Sequence, residues 1–211
     1  MARNIVIYRD EGVGKFGLKC LAEFFSGDEV WFANAEAVID GRVLHMADIF
    51  VMPGGADLPY CKKLNGTGNG NIRAYVEEGG TYLGICAGAY YGCKAIEYHK
   101  GRDDEICAKR ELAFGPVTAI GSLEGLAPFY DETLASAAIA ELDDGQQAFY
   151  NGGCTFKGSG FEILARYETL PSKPPAIITI EIGEGRAILS GVHFEITPDL
   201  LKNHPAEGFE A

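Results

Sequence analysis

The sequence predicts an α/β fold: a doubly wound, mostly parallel sheet with a C-terminal antiparallel hairpin. Three observations carry this. The runs Asn4-Ile5-Val6-Ile7-Tyr8 and Ile49-Phe50-Val51-Met52 are continuously apolar and rich in β-branched residues, as strands buried on both faces require. Between them Leu18, Leu21, Ala22 and Phe25 recur at helical spacing, so strand and helix alternate. Near the C-terminus two apolar runs, 177–182 and 186–190, flank the turn Gly183-Glu184-Gly185, which reads as a hairpin.

The first strand, 4–8, leads into the loop 9–16 and then the helix, which Gly27 stops. Residues 29–32 form a second strand and 49–52 a third. In the loop 53–60, Pro53-Gly54-Gly55-Ala56-Asp57-Leu58-Pro59-Tyr60, two adjacent glycines turn backbone N–H groups toward a ligand. Asn65-Gly66-Thr67-Gly68-Asn69-Gly70 is expected as a flexible loop. Ile72, Tyr75 and Val76 mark a short helix closed by Gly79-Gly80. The strand 81–85 then breaks abruptly into a helix near Ala87. Beyond Glu97 the pattern weakens: 99–110 is polar and expected as loop, and 114–120 as strand. The alanine-rich stretch 134–142 fits helix and strand equally. Residues 148–150 read as a strand running into the turn Asn151-Gly152-Gly153. A further strand is expected at 163–167 and a terminal helix at 198–204. No internal repeat or linker interrupts the chain, so 1–211 is expected as a single domain.

Hydrophobic residues make up 47% and charged residues 23%, which suits a globular protein with a full core. The net charge of −12 argues against nucleic acid and anionic membranes as partners. No apolar run is long enough for a signal peptide or a membrane span, so a cytoplasmic protein is expected. The six cysteines are scattered without C-x-x-C or zinc spacing, so neither a metal site nor a disulfide framework is expected, and no cofactor is called for.

Cys86 sits on the strand-to-helix turn, within Gly84-Ile85-Cys86-Ala87-Gly88. This G-x-C-x-G pattern is the cysteine form of a nucleophile elbow. Small neighbours permit the tight turn, and the helix N-terminus favours an anion at the sulfur. A thiol nucleophile needs a base, a group to orient it, and an oxyanion hole. His193 and Glu195 follow the last strand two residues apart, so on extended backbone they share a face. The N–H of Ala87, with those of Gly54 or Gly55, supplies the oxyanion hole. The expected chemistry is acyl transfer from an amide or ester through a thioester.

At these residues the chain resembles the class I glutamine amidotransferase-like superfamily. Within it the chain is similar to the amidotransferase-like domain at the N-terminus of eukaryotic biotin–protein ligases and to its stand-alone bacterial relatives. The motifs are residues 53–60, Gly84 to Tyr91, Tyr150-Asn151-Gly152-Gly153, and Gly191-Val192-His193-Phe194-Glu195. The resemblance implies a flavodoxin-like fold, with Cys86 as nucleophile, His193 as base and Glu195 as its orienter. Phe194 stands where the superfamily often has proline, which frees φ at that position. The sequence carries no Gly/Arg-rich adenylate-binding loop, so ligase activity is not expected. The partners expected are a small-molecule amide or ester and, for assembly, a second copy or a separate synthetase.

Gly12-Val13-Gly14-Lys15-Phe16-Gly17 also fits G-x-G-x-x-G, with Glu36 as a ribose-binding acid. The charged run Arg9-Asp10-Glu11 separates the strand from Gly12, and its two carboxylates would repel a pyrophosphate, so the loop is instead assigned to the rim of the Cys86 pocket. Arg9 there binds a substrate carboxylate or pairs with Asp10 or Glu11, and Asp10 joins the rim. Tyr90 is assigned to the pocket. Asn151, with Gly152, reaches the site or supplies the left-handed turn. Two other functions compete with the enzyme: a catalytically silent binding or regulatory module, and a redox sensor in which Cys93 or Cys154 resolves an oxidised Cys86.

Overall fold

A computed structural model describes residues 2–127 and 137–197. Strict alternation in the first strand, β1 (Asn4–Tyr8), sets the layers. Ile5 and Ile7 pack with Leu21 and Phe25, from α1 (Lys15–Phe24) and its cap, on one face of the sheet. Val6 and Tyr8 face the other way. After β2 (Glu29–Ala33), that opposite face is covered by α2 (Ala35–Asp40) and α3 (Arg42–His45). Following β3 (Ile49–Met52), it is covered further by α4 (Asp57–Leu64) and α5 (Thr67–Glu77). Helices on both faces are what a doubly wound sheet requires.

The chain continues through β4 (Thr81–Ile85), α6 (Ala87–Gly92), β5 (Ala95–Tyr98), β6 (Ile106–Lys109), β7 (Val117–Gly121), β8 (Ala138–Glu141), β9 (Gln147–Tyr150) and β10 (Cys154–Gly158). It closes with β11 (Glu162–Arg166), β12 (Pro175–Ile182) and β13 (Gly185–Ser190). The main sheet has seven strands in the order β11-β12-β13-β4-β3-β1-β2. Its core, β2-β1-β3-β4-β13, is parallel, and β12 and β11 run antiparallel at one edge. The hairpin β12–β13 stands where the sequence predicts it.

Several local expectations are corrected. The loop 53–60 ends early, because α4 begins at Asp57 and holds Pro59 in its first turn, where a missing N–H costs nothing. The stretch 65–70 is not a free loop: α5 starts at Thr67 and buries Gly68 and Asn69. A Cβ on Gly68 would lie 2.9 Å from Leu64 Cδ2, so close packing of α5 on α4 outweighs glycine's poor helix propensity. The polar segment 99–110 contains β6. Residues 138–141 of the ambiguous stretch form strand β8, while 134–136 and the expected helix 198–204 lie outside the described residues.

Of the second sheet the sequence predicts one strand, at 114–120, which is found as β7, and nothing of the pairing. That sheet has four strands in the order β10-β7-β5-β6, and β8–β9 form a separate ribbon. The connections among β5, β7 and β10 are long-range, and no local pattern marks them.

Candidate active site

β4 ends at Ile85, and Cys86 adopts φ 49° and ψ −106°, a left-handed conformation rare for a residue with a side chain. Holding it costs on the order of 1–3 kcal/mol, so the surroundings must enforce it. They do so on both sides. Cys86 N–H donates to Ser190 O at 2.8 Å, at the end of β13, and Gly88 N–H donates to Pro53 O at 3.1 Å. A Cβ on Gly88 would meet Met52 O at 2.0 Å, so only glycine lets α6 approach β3 this closely. The sulfur is thereby fixed at the carboxyl end of the parallel core.

β13 delivers the second group. It pairs in register with β4, Ser190 opposite Ile85, and the chain then turns through 191–195. His193 N–H donates to Phe149 O at 2.7 Å, which ties the turn to β9. The imidazole Nδ1 lies 2.7 Å from Glu195 Oε1, and both side chains are buried. The pairing expected from i, i+2 spacing is present, although a turn and not a strand produces it. A Cβ on Gly54 would lie 2.6 Å from His193 Cε1 and 3.4 Å from Cys86 Cβ, so imidazole and thiol converge on Gly54. Glu195 faces α1, with Oε1 3.7 Å from a Cβ placed on Gly17.

The electrostatics follow from these contacts. Burial disfavours a charged His193, but the Glu195 carboxylate and the neighbouring Cys86 sulfur outweigh it, and the imidazole is raised to about 10. Its Nε2 makes no hydrogen bond of ordinary geometry, and Glu195 Oε2 is likewise buried without a partner among the described residues. The Cys86 thiol donates instead to the Asn151 carbonyl, Sγ to O 3.6 Å. The backbone N–H groups of Gly54, Gly55 and Ala87 are engaged by no acceptor among the described residues, whereas Gly14 N–H bonds Gly54 O and Ala56 N–H bonds Gly12 O.

Cys86 and Ala87 open onto a cavity of about 180 Å³. Leu58 of α4, Tyr90 of α6, Ile96 and Tyr98 of β5, and Ile106 of β6 line it, together with residues 55–57 and Gly152. Of the sequence-assigned pocket residues, Tyr90 and Gly152 line it and Asn151 contacts the sulfur through its carbonyl. Arg9 and Asp10 do not line it. The Arg9 guanidinium lies over the Phe32 ring, 4.9 Å from its centroid, and Asp10 pairs with Lys63 at 2.8 Å and accepts from Ala35 N–H. Phe32 on the edge strand and Lys63 on α4 hold Arg9 and Asp10 out of the cavity, while Gly12 and Gly14 of the same loop pair with Ala56 and Gly54. Cys93 and Cys154 are fully buried, and burial pushes both thiols up, which deprives a resolving partner of thiolate. Sequence reasoning missed Leu58, Ile96, Tyr98 and Ile106, and also Asp57, whose carboxylate is held by Arg110 Nε at 2.6 Å.

A family model described as biotin-protein ligase, N terminal, matches residues 3–210. The chain belongs to this family. An uncharacterized protein from Chlamydia muridarum is 34% identical over 93% of this chain and 82% of its own length. The biotin–protein ligase of Schizosaccharomyces pombe is 31% identical over 93% of this chain, which spans only 34% of that ligase. Among solved structures, PurLQS from Thermotoga maritima shares the fold at TM-score 0.59 and 12% identity, covering 95% of this chain and 92% of that one. A putative ThuA-like protein from Bacteroides uniformis follows at TM-score 0.51, 12% identity, and 96% and 89% coverage. The fold of this family member is class I glutamine amidotransferase-like.

Proposed function

We propose that the chain is a cysteine-dependent acyl-transfer enzyme, a hydrolase or amidotransferase-like protein acting on a small amide or ester. The observation that carries this reading is a strained Cys86, φ 49°, converging with an imidazole whose Nδ1 is fixed 2.7 Å from Glu195. In the proposed mechanism Cys86 exchanges the Asn151 carbonyl for His193 Nε2 and reacts as a thiolate beside the imidazolium, because Glu195 and the sulfur keep the proton on the ring near neutral pH. The thiolate attacks the substrate carbonyl carbon, and the N–H groups of Ala87 and Gly54 or Gly55 stabilise the oxyanion. Collapse of the adduct breaks the bond to the leaving amine or alcohol, which takes the proton from His193. Water, deprotonated by His193, then cleaves the thioester and restores the thiolate and imidazolium. Glu195 keeps the imidazole oriented and favours its charged form throughout. The cytoplasm, and a second copy or separate synthetase as partner, go with this reading.

The test compares wild type with Cys86→Ala, His193→Ala and Glu195→Ala on a panel of small amides. Glutamine and a biotinyl-lysine amide belong in it, the latter because a relative is a biotin–protein ligase. Turnover abolished by Cys86→Ala supports the enzyme. If nothing turns over, or Cys86→Ala turns over equally well, the proposal fails. One observation favours a ligand-binding module instead: the thiol donates to Asn151 O, and His193 Nε2 accepts no hydrogen bond of ordinary geometry from it among the described residues. Such a module would bind its ligand with undiminished affinity after Cys86→Ala.

A further inference from the structure

We infer that the cavity beside Cys86 takes an uncharged apolar or aromatic acyl group and rejects the amide of an amino acid such as glutamine. The inference rests on the proposed role of Cys86 as nucleophile.

The wall is apolar. Leu58, Tyr90, Ile96, Tyr98 and Ile106 surround the approach to the sulfur, and among the described residues no Lys, Arg or His lines the cavity. A glutamine-type substrate brings an ammonium and a carboxylate, and each needs an opposite charge or several hydrogen bonds once desolvated. Among the described residues the one carboxylate lining the cavity is Asp57, and Arg110 already holds it at 2.6 Å in a pair whose side chains are 3% and 10% exposed. That pair is neutral as a whole and ties the start of α4 to the residue after β6. The Tyr90 hydroxyl is also committed, donating to Gly153 O at 2.8 Å. Arg9, which the sequence assigns to the rim, lies over Phe32 and does not line the cavity.

The wall is also held in place. The Tyr98 ring stacks on His99 at 4.0 Å and 23°. His99 is fixed in turn, Nδ1 2.6 Å from Asp104 and Nε2 2.8 Å from Ser122 Oγ. A preformed apolar wall gains from burying an apolar group and loses little ordering entropy in doing so.

Pentanoyl and γ-glutamyl p-nitroanilides test this directly, because their acyl groups share a carbon skeleton and differ in the ammonium and carboxylate. The pentanoyl compound should have the higher kcat/KM by about 100-fold or more, the scale on which pockets discriminate. Ile106→Asp should cut that ratio by about 10-fold or more, while Ile106→Val keeps it. Leu58→Asp, at a position 51% exposed, repeats the test where folding is least at risk. Equal rates for the two compounds, both lost in Cys86→Ala, would overturn the substrate class and leave the nucleophile standing. Hydrolysis of neither, or hydrolysis unaffected by Cys86→Ala, would overturn the nucleophile and the substrate class together.

Discussion

The seven-stranded and four-stranded sheets flank the same thiol but are built on different terms. In the first, β1, β3 and β4 are buried on both faces, and helices clamp them from either side. In the second, β6 leaves all but one of its residues exposed, and only Ile106 turns toward the cavity. The rigid sheet can enforce a strained Cys86 and hold a buried imidazole–carboxylate pair. The lighter sheet supplies part of the wall that decides what reaches them. Under the proposed reading the reactive groups lie on the rigid sheet, whereas the wall is shared, with Leu58 and Tyr90 from its helices and Ile96, Tyr98 and Ile106 from the lighter sheet. Substitutions in the lighter sheet should therefore alter selectivity and leave reactivity largely intact.

The largest break on the rigid side is Glu195→Gln. It preserves shape but removes the charge that favours imidazolium, and a loss of about 10⁴-fold in kcat is expected where an amide replaces the orienting acid. The same variant reads out in stability. Folding raises His193 from 6.5 to about 10, so the folded state holds the proton more tightly. That contribution is complete below pH 6.5 and is lost as pH rises through about 10. Denaturant titrations of the wild type should show stability falling across this window. Glu195→Gln should flatten the fall, and an unchanged profile would mean that Glu195 does not set the charge of His193.

On the lighter side the largest effect should come from Asp57→Ala. It leaves Arg110, 5% exposed, as an uncompensated charge beneath the cavity, and Nη2 of Arg110 already lacks a partner. A loss of about 3–5 kcal/mol is expected, and removing both charges with apolar residues should recover most of it. Thermal or urea unfolding of the single and double variants checks this. A double variant as unstable as the single one would show that the pair contributes more than mutual neutralisation.

Gly54→Ala falls between the two sheets in effect. Its methyl group would stand 2.6 Å from His193 Cε1, closer than side chains approach, so the ring must move. A displacement on the order of 1 Å costs about 100-fold in rate, so kcat should fall by that factor with KM little changed. A KM effect without a kcat effect would place Gly54 in substrate binding and not in setting the imidazole.

The same division explains what could be read from the chain. The parallel core announces itself through continuous apolar runs such as Ile49-Phe50-Val51-Met52, and the elbow through glycines that local geometry demands around Cys86. His193 and Glu195 were legible because two-residue spacing brings them together in either a strand or this turn. β6 was not legible. Its sequence, ICAK, shows one apolar side chain toward the cavity, and it is a strand only because β5 pairs with it. Asp57 and Arg110 are 53 positions apart, and no local pattern connects them.

The smallest prediction concerns the one assignment that the charge pattern suggested and the packing reversed. The sequence assigns Arg9 to the pocket rim, where its cation would receive a substrate carboxylate. Its guanidinium lies instead over Phe32 of β2, on the edge of the rigid sheet, and a partly exposed cation–π contact of this kind is worth about 0.5–1 kcal/mol. Arg9→Ala should therefore lower stability by about that amount and leave kcat/KM for an uncharged amide within about twofold, since surface changes rarely propagate further. Steady-state kinetics on the pentanoyl and γ-glutamyl p-nitroanilides separate the outcomes. A selective rise in KM for the γ-glutamyl compound would mean that the loop carrying Arg9 folds over the cavity when substrate is bound. Selectivity would then come from the rigid sheet as well as from the wall, and the separation of reactivity from selectivity would no longer hold.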